Sequence, residues 1–268
     1  MRRLLLTIIL TSLLAPSVQA EKKKVMSTPS PILVREPDPL LRPLPAEHAM
    51  EHSQEISFVH RRKHSLGKRG IDVSHYQERI NWEAVAEDPD VNFVYIKATE
   101  HASLVDKMFQ TNVRAAHRVG VPVGCYHFFS PTAAPTAQLK NLTSAVPRLD
   151  DHDLVPMIDV EAKGKSSPEN LRRNLRQFLK GVESYYGVKP IIYTGMNFYN
   201  KYLAGHFEDY LFMIAKYSEG FPELHGNPKF ALWQFSASGR VKGIRGDVDC
   251  SCFVDGYSLK DILIRRKK

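Results

Sequence analysis

From Gly70 to Asp261, short apolar runs rich in β-branched and aromatic residues alternate with stretches whose apolar positions recur every three or four residues. Runs of the first kind read as strands, and stretches of the second kind as amphipathic helices. The pattern predicts strands at residues 70–74, 92–98, 121–129, 154–160, 189–193, 210–215 and 230–234, with a last one near 248–254. Between them it predicts helices at about 82–88, 105–119, 134–145, 168–186 and 197–204. The fourth helix is the clearest. Leu171, Leu175, Phe178, Leu179 and Val182 share one helical face, Ser167-Pro168 offers a cap and a first turn, and Gly187 offers a stop. Alternation of this kind implies parallel strands joined by crossover helices. The series suggests a short α/β barrel whose last strands have lost their helices. The chain contains no internal repeat.

Upstream of Gly70 the texture is different. Residues 21–69 carry Pro29, Pro31, Pro37, Pro39, Pro43 and Pro45 and two basic clusters, so they read as a semi-extended basic linker. Before them stand Arg2-Arg3, an apolar run from Leu4 to Ala15, and Val18-Gln19-Ala20. That three-part pattern predicts a signal peptide over residues 1–20, cleaved after Ala20. The apolar run is shorter than the roughly 20 residues that span a bilayer, which favours export over an uncleaved membrane anchor. The expected destination is the periplasm, the cell envelope or the outside.

Charge locates the basicity. The net charge is +8, yet residues 70–261 hold 21 Lys and Arg against 23 Asp and Glu. The excess lies in residues 1–69 and in a basic C-terminal tail, 262–268. A folded face for nucleic acid is therefore not expected, and the tails suit anionic membrane or wall polymers instead. Three cysteines cannot staple a chain of 268 residues. Cys125 sits in an apolar strand as an expected buried thiol, and Cys250 and Cys252, two apart on a strand, are poorly placed for a mutual disulfide.

In a barrel of parallel strands, chemistry collects at the carboxyl ends of the strands. Asp72, Glu100, Tyr126, His127, Asp159, Glu161, Tyr193, Gln234, Asp247 and Asp249 all stand at such predicted ends. Asp159 and Glu161 are two apart, so an extended chain puts both carboxyl groups on one face. Such a pair suits glycoside hydrolysis, in which one acid protonates the leaving oxygen and another stabilises the transition state or activates the attacking group. An isolated Asp-x-Glu also fits a solvated strand end or half of a metal site, but Asp72 and Asp249 add carboxylates at neighbouring strand ends. No His-Glu-x-x-His, Gly-x-Ser-x-Gly or phosphate-cradling glycine loop is present, so neither a catalytic metal nor an organic cofactor is expected. Tyr126, Tyr193 and Trp233 are the aromatic residues expected to meet sugar rings, with Glu100 and Gln234 as further contacts.

These residues fall into an ordered series of motifs: Gly70-Ile71-Asp72-Val73-Ser74, Ile80-Asn81-Trp82, Lys97-Ala98-Thr99-Glu100, Gly124-Cys125-Tyr126-His127-Phe128, Ile158-Asp159-Val160-Glu161, Ala231-Leu232-Trp233-Gln234-Phe235 and Gly246-Asp247-Val248-Asp249. In this series residues 70–258 resemble the family 25 glycoside hydrolases, the muramidases. The resemblance implies an irregular, TIM-like (β/α) barrel of about eight strands and five helices that cleaves the β-1,4 bond between N-acetylmuramic acid and N-acetylglucosamine in peptidoglycan. Carried over by motif, Glu161 is the general acid, Asp159 stabilises the transition state or orients the substrate's acetamido group, and Asp72 and Asp249 complete an acidic floor. Two departures stand out: His101 follows Glu100 where glycine is commoner, and Cys250-Ser251-Cys252 follows Asp249 where an apolar residue and Asn are usual. A wall-binding protein on the same barrel without cleavage, and a hydrolase of chitin-like N-acetylglucosamine polymers, are the alternatives.

Overall fold

The structure is a computed structural model that describes residues 67–149 and 152–264. The expected signal peptide, the expected linker up to residue 66 and the last basic residues, 265–268, lie outside the described residues.

The chain runs β1 (Arg69–Val73), α1 (Trp82–Ala86), β2 (Val94–Glu100), β3 (Leu104–Val105), α2 (Phe109–Arg118), β4 (Val123–Phe128), α3 (Pro135–Ala145), β5 (Met157–Asp159) and α4 (Pro168–Tyr186). It continues through β6 (Ile191–Gly195), α5 (Met196–Phe198) with a π turn at Tyr199–Leu203, β7 (Leu211–Ala215), β8 (Lys229–Gly239), β9 (Val248–Phe253) and α6 (Leu259–Ile262). Strands β1, β2, β4, β5, β6, β7, β8 and β9 follow one another around a closed barrel, because β1 pairs with β2 on one side and with β9 on the other. The short β3 lies outside this ring, antiparallel on β2.

Helix α4 shows why the pattern was readable. The Ser167 side chain accepts from the Asn170 N–H, Pro168 occupies the first turn, and Gly187 ends the helix at φ 71° with its N–H on the Glu183 carbonyl. All five residues of the expected stripe are buried.

Alternation along the strands divides the core in two. Ile71, Val73, Val94, Ile96, Ile158, Val160 and Ile192 point outward and pack with Leu171, Leu175 and Phe178 of α4 and the other helices. Tyr95, Met157, Ile191, Tyr193, Met213 and Leu232 point inward and, with Phe93, Phe253 and Ile262, form a separate apolar plug in the barrel. Gly70 is required by that plug: a Cβ at this position would lie 2.2 Å from two Phe93 ring atoms. Gly70→Ala is therefore expected to cost about 1–3 kcal/mol through overpacking. A urea-unfolding midpoint equal to that of the unaltered protein would contradict this packing account.

Four expectations change. The last strand, β9, is antiparallel to both β8 and β1 rather than parallel. The residues between Gly239 and Val248 are too few for a crossover, which needs about a dozen, so only a hairpin return is open to the chain. Helix α2 starts at Phe109, not near 105, because Leu104 and Val105 pair with Glu100 and Thr99 and buried Asp106 then accepts from the Met108 N–H. Arg69, placed in the linker by sequence, is the first residue of β1 and pairs with Cys252. At the other end the expected tail begins inside the fold. Ile262 is fully buried, its carbonyl accepts from the Val155 N–H, and the Ile264 N–H reaches the Asp153 carbonyl.

Candidate active site

The carboxyl ends of the parallel strands and, because β9 is antiparallel, the amino end of β9 rather than the expected carboxyl end, surround a groove of about 300 Å³. β1 delivers Asp72, and antiparallel pairing sets Asp249 of β9 directly beside it. β5 delivers Asp159 between Phe128 of β4 and Tyr193 of β6 in the strand register. Glu161 follows just past the strand end, exposed where Asp72 and Asp159 are buried. All four carboxyl groups line the one groove, as do Tyr126, Tyr193 and Gln234.

Gln234 organises the floor. Its Nε2 donates to Asp72 Oδ2 at 2.8 Å, while its Oε1 accepts from the hydroxyls of Tyr193 at 2.8 Å and Tyr217 at 2.6 Å. A side-chain amide can do this because it carries a donor and an acceptor at opposite corners. Buried polar oxygens nevertheless remain: Asp72 Oδ1 and Asp159 Oδ1 have no hydrogen-bond partner. Asp159 thus stands in the groove with an unpartnered oxygen, which in a native interior calls for a functional reason.

Crowding and burial together raise the affinity of these groups for protons. Burial, reinforced by Asp249, pushes Asp72 up to about 8 despite the Gln234 hydrogen bond. Burial and then Glu161 push Asp249 up to about 6. Asp159 is driven well above the carboxylate range by burial and by Glu161, with Lys97 opposing. Glu161, exposed at the rim, is also raised, because the groove walls strip part of the water from its carboxyl, with Tyr193 and Lys97 pulling it back. Asp159 and Glu161 are a coupled pair that holds protons at pH values where isolated carboxyls are bare.

Two expected contacts fall outside the groove. Trp233 follows Leu232 and precedes Gln234 on β8, both of which face inward, so alternation turns the indole outward. There its Nε1 donates to the Lys216 carbonyl at 3.0 Å and its ring packs against Phe221. Glu100 ends β2 with its carboxylate 2.6 Å from Lys97 Nζ, and Lys97, not Glu100, lines the groove. His127 likewise faces away, held by Thr99 Oγ1 at 2.7 Å and by Gln138. Tyr217 lines the groove where Trp233 was preferred, and sequence reasoning passed over Lys97 and Tyr76. Lys97 was within reach, being two residues from inward-facing Tyr95. Tyr76 was not, since it stands in a single turn at His75–Gln77, 75% exposed and packed at a tilt against His75, with no periodicity to mark it.

A groove at the open end of a barrel, lined by four carboxyl groups and by tyrosines, has the make-up that glycoside hydrolysis needs. The model of the glycosyl hydrolases family 25 matches residues 71–244. The protein YegX of Escherichia coli (strain K12) is 40% identical over 201 residues, covering 74% of this chain and 73% of its own. Lysozyme M1 of Streptomyces globisporus is 32% identical over 200 residues, 70% of this chain and 68% of its own. The crystal structure of the bacterial lysozyme from Streptomyces coelicolor superposes with a TM-score of 0.64 at 31% identity, over 72% of this chain and 94% of that one. The chain belongs to family 25 of the glycosyl hydrolases, and its barrel is the fold of that family.

Proposed function

We propose that the protein is an exported muramidase, hydrolysing the β-1,4 bond between N-acetylmuramic acid and N-acetylglucosamine in peptidoglycan with Glu161 as general acid. The observation that carries the reading is the pairing of an exposed, proton-retaining Glu161 with a buried Asp159 whose Oδ1 has no partner. A sugar in the groove removes water from Glu161, which raises its proton affinity further. The proton then passes to the bridging oxygen as the glycosidic bond breaks, the leaving sugar departs as an alcohol, and a water gives its hydroxyl to the anomeric carbon and its proton to a groove carboxylate. The unpartnered Asp159 oxygen accepts from the substrate's acetamido N–H, and the surrounding carboxyl groups stabilise the oxocarbenium-like transition state. Tyr126 and Tyr193 hold the pyranose rings, and Asp72 and Asp249 close the floor. Neither metal nor organic cofactor is called for by this chemistry.

Export agrees with the substrate, which lies outside the cytoplasmic membrane. It rests on the charged start, the short apolar run and Val18-Gln19-Ala20. Among the described residues no helix is long and apolar enough to cross a membrane. The basic flanks are well suited to hold the enzyme near anionic wall polymers or lipid, through charge that salt screens.

The test is digestion of purified peptidoglycan, with borohydride reduction and mass spectrometry of the new ends. Reduced muramic acid ends are expected. Reduced glucosamine ends instead would mark a hydrolase of the chitin type, and binding without release would mark a wall-binding protein.

A further inference from the structure

Outside the groove, the flank of the barrel carries a larger cavity of about 850 Å³, within the size range of ligand sites. We propose that it binds the peptide branches of the wall polymer, carboxylate and amine together, while the glycan backbone occupies the groove; this rests on the muramidase reading. Three separate segments bring guanidinium groups to the cavity: Arg79 from the stretch after β1, Arg118 from the end of α2, and Arg245 from the β8–β9 hairpin. None of the three has a hydrogen-bond or ion-pair partner among the described residues. Arginine forks favour carboxylates, which they can bind through two parallel hydrogen bonds.

An unsatisfied buried donor points the same way. Asn112 is 1% exposed and lines the cavity; its Oδ1 accepts from Trp82 Nε1 at 3.3 Å, and its Nδ2 has no partner. A donor left unmet in the interior costs free energy that an oxygen of a bound ligand would recover. Glu78 and Glu83 line the same cavity. They oppose a phosphate but suit a zwitterion, whose amine they pair while the arginines take its carboxylates.

The cavity is also placed to receive a branch. Tyr76 lines the groove and Glu78, two residues on, lines the cavity. Glu78 holds φ at 50°, a conformation that non-glycine residues adopt at a cost and that recurs at binding sites. Gln77, between them, donates to the Asp247 carbonyl at 3.2 Å and so ties this segment to the hairpin that carries Arg245.

The experiment compares the full chain with the triple variant Arg79→Ala, Arg118→Ala, Arg245→Ala on two polymers, intact peptidoglycan and the same glycan stripped of its peptides by an amidase. All three positions are exposed, so the fold is expected to survive. On intact polymer KM should rise about tenfold with kcat unchanged, and on stripped glycan neither should move. In parallel, the free stem peptide and inorganic phosphate are titrated against the protein while the Asn112 side-chain amide is followed by NMR. The peptide should shift this resonance in the unaltered protein and not in the triple variant. Equal KM changes on both polymers, no change on either, or a shift produced by phosphate more readily than by peptide would overturn the proposal. Cleavage of neither polymer by the unaltered protein would remove the muramidase reading, and the titration would still decide the cavity.

Discussion

Glu161→Gln is expected to fold normally and bind peptidoglycan yet turn it over about 10²–10⁴-fold more slowly, the usual contribution of a positioned general acid. The side chain is exposed beyond the end of β5, so an amide of the same size disturbs no packing. It keeps a hydrogen bond to the bridging oxygen but has no proton to give. Loss of kcat with KM nearly constant would therefore separate a chemical role from a binding role. The pH profile gives a second reading. Partial desolvation by the groove walls raises the Glu161 pKa, so the unaltered enzyme should lose activity as pH climbs through that raised value, and the variant's residual activity should lack this limb. Turnover near that of the unaltered enzyme would remove Glu161 from the acid's role.

The features legible in the sequence are those with a period or a position in a series. Helix α4 announced itself by its cap, stripe and stop, and the order of the barrel strands followed from alternation of strand and helix. Asp72, Asp159, Glu161 and Asp249 were legible as strand-end acids, and the groove gathers all four. What escaped has physical causes. Trp233 and Gln234 are chain neighbours, so one β8 residue had to face away, and nothing in the sequence Leu-Trp-Gln-Phe says which. The choice is made in three dimensions, where Gln234 can bridge Asp72 to two tyrosines and the indole can cover Phe221. Strand β3 is two residues long and has no period to read. The direction of β9 depends on how short its connection is, and that is known only once both strand ends are placed. Ile262 looked like the start of a basic tail because the charge that follows it hides its burial in the barrel floor.

The acidic floor of the groove should weaken the fold, and Asp72→Asn should reveal by how much. Asp72 is 7% exposed, with Oδ1 unpartnered and Asp249 alongside. In the native state it keeps its proton up to about pH 8, whereas the ordinary value is 3.8. Between those limits the native state binds more protons than the unfolded chain, so this group makes stability fall as pH rises from about 4 to 8. Below that window both states are protonated and the group contributes nothing. A shift of this size corresponds to at most about 6 kcal/mol at the top of the window, and solvent relaxation brings the expected effect down to a few kcal/mol. The substitution removes the titration, and the new amide oxygen can accept from Gln234 Nε2 as the Asp72 carboxyl does now. Urea unfolding should therefore show little change in the variant at pH 4 and a gain of a few kcal/mol at pH 8, with activity reduced. An equal change at both pH values would mean that packing rather than ionisation governs the position. The gain has the form of a stability–activity trade-off: carboxyl groups are crowded on one buried floor, where ionising them costs stability, and the rest of the barrel offsets that cost.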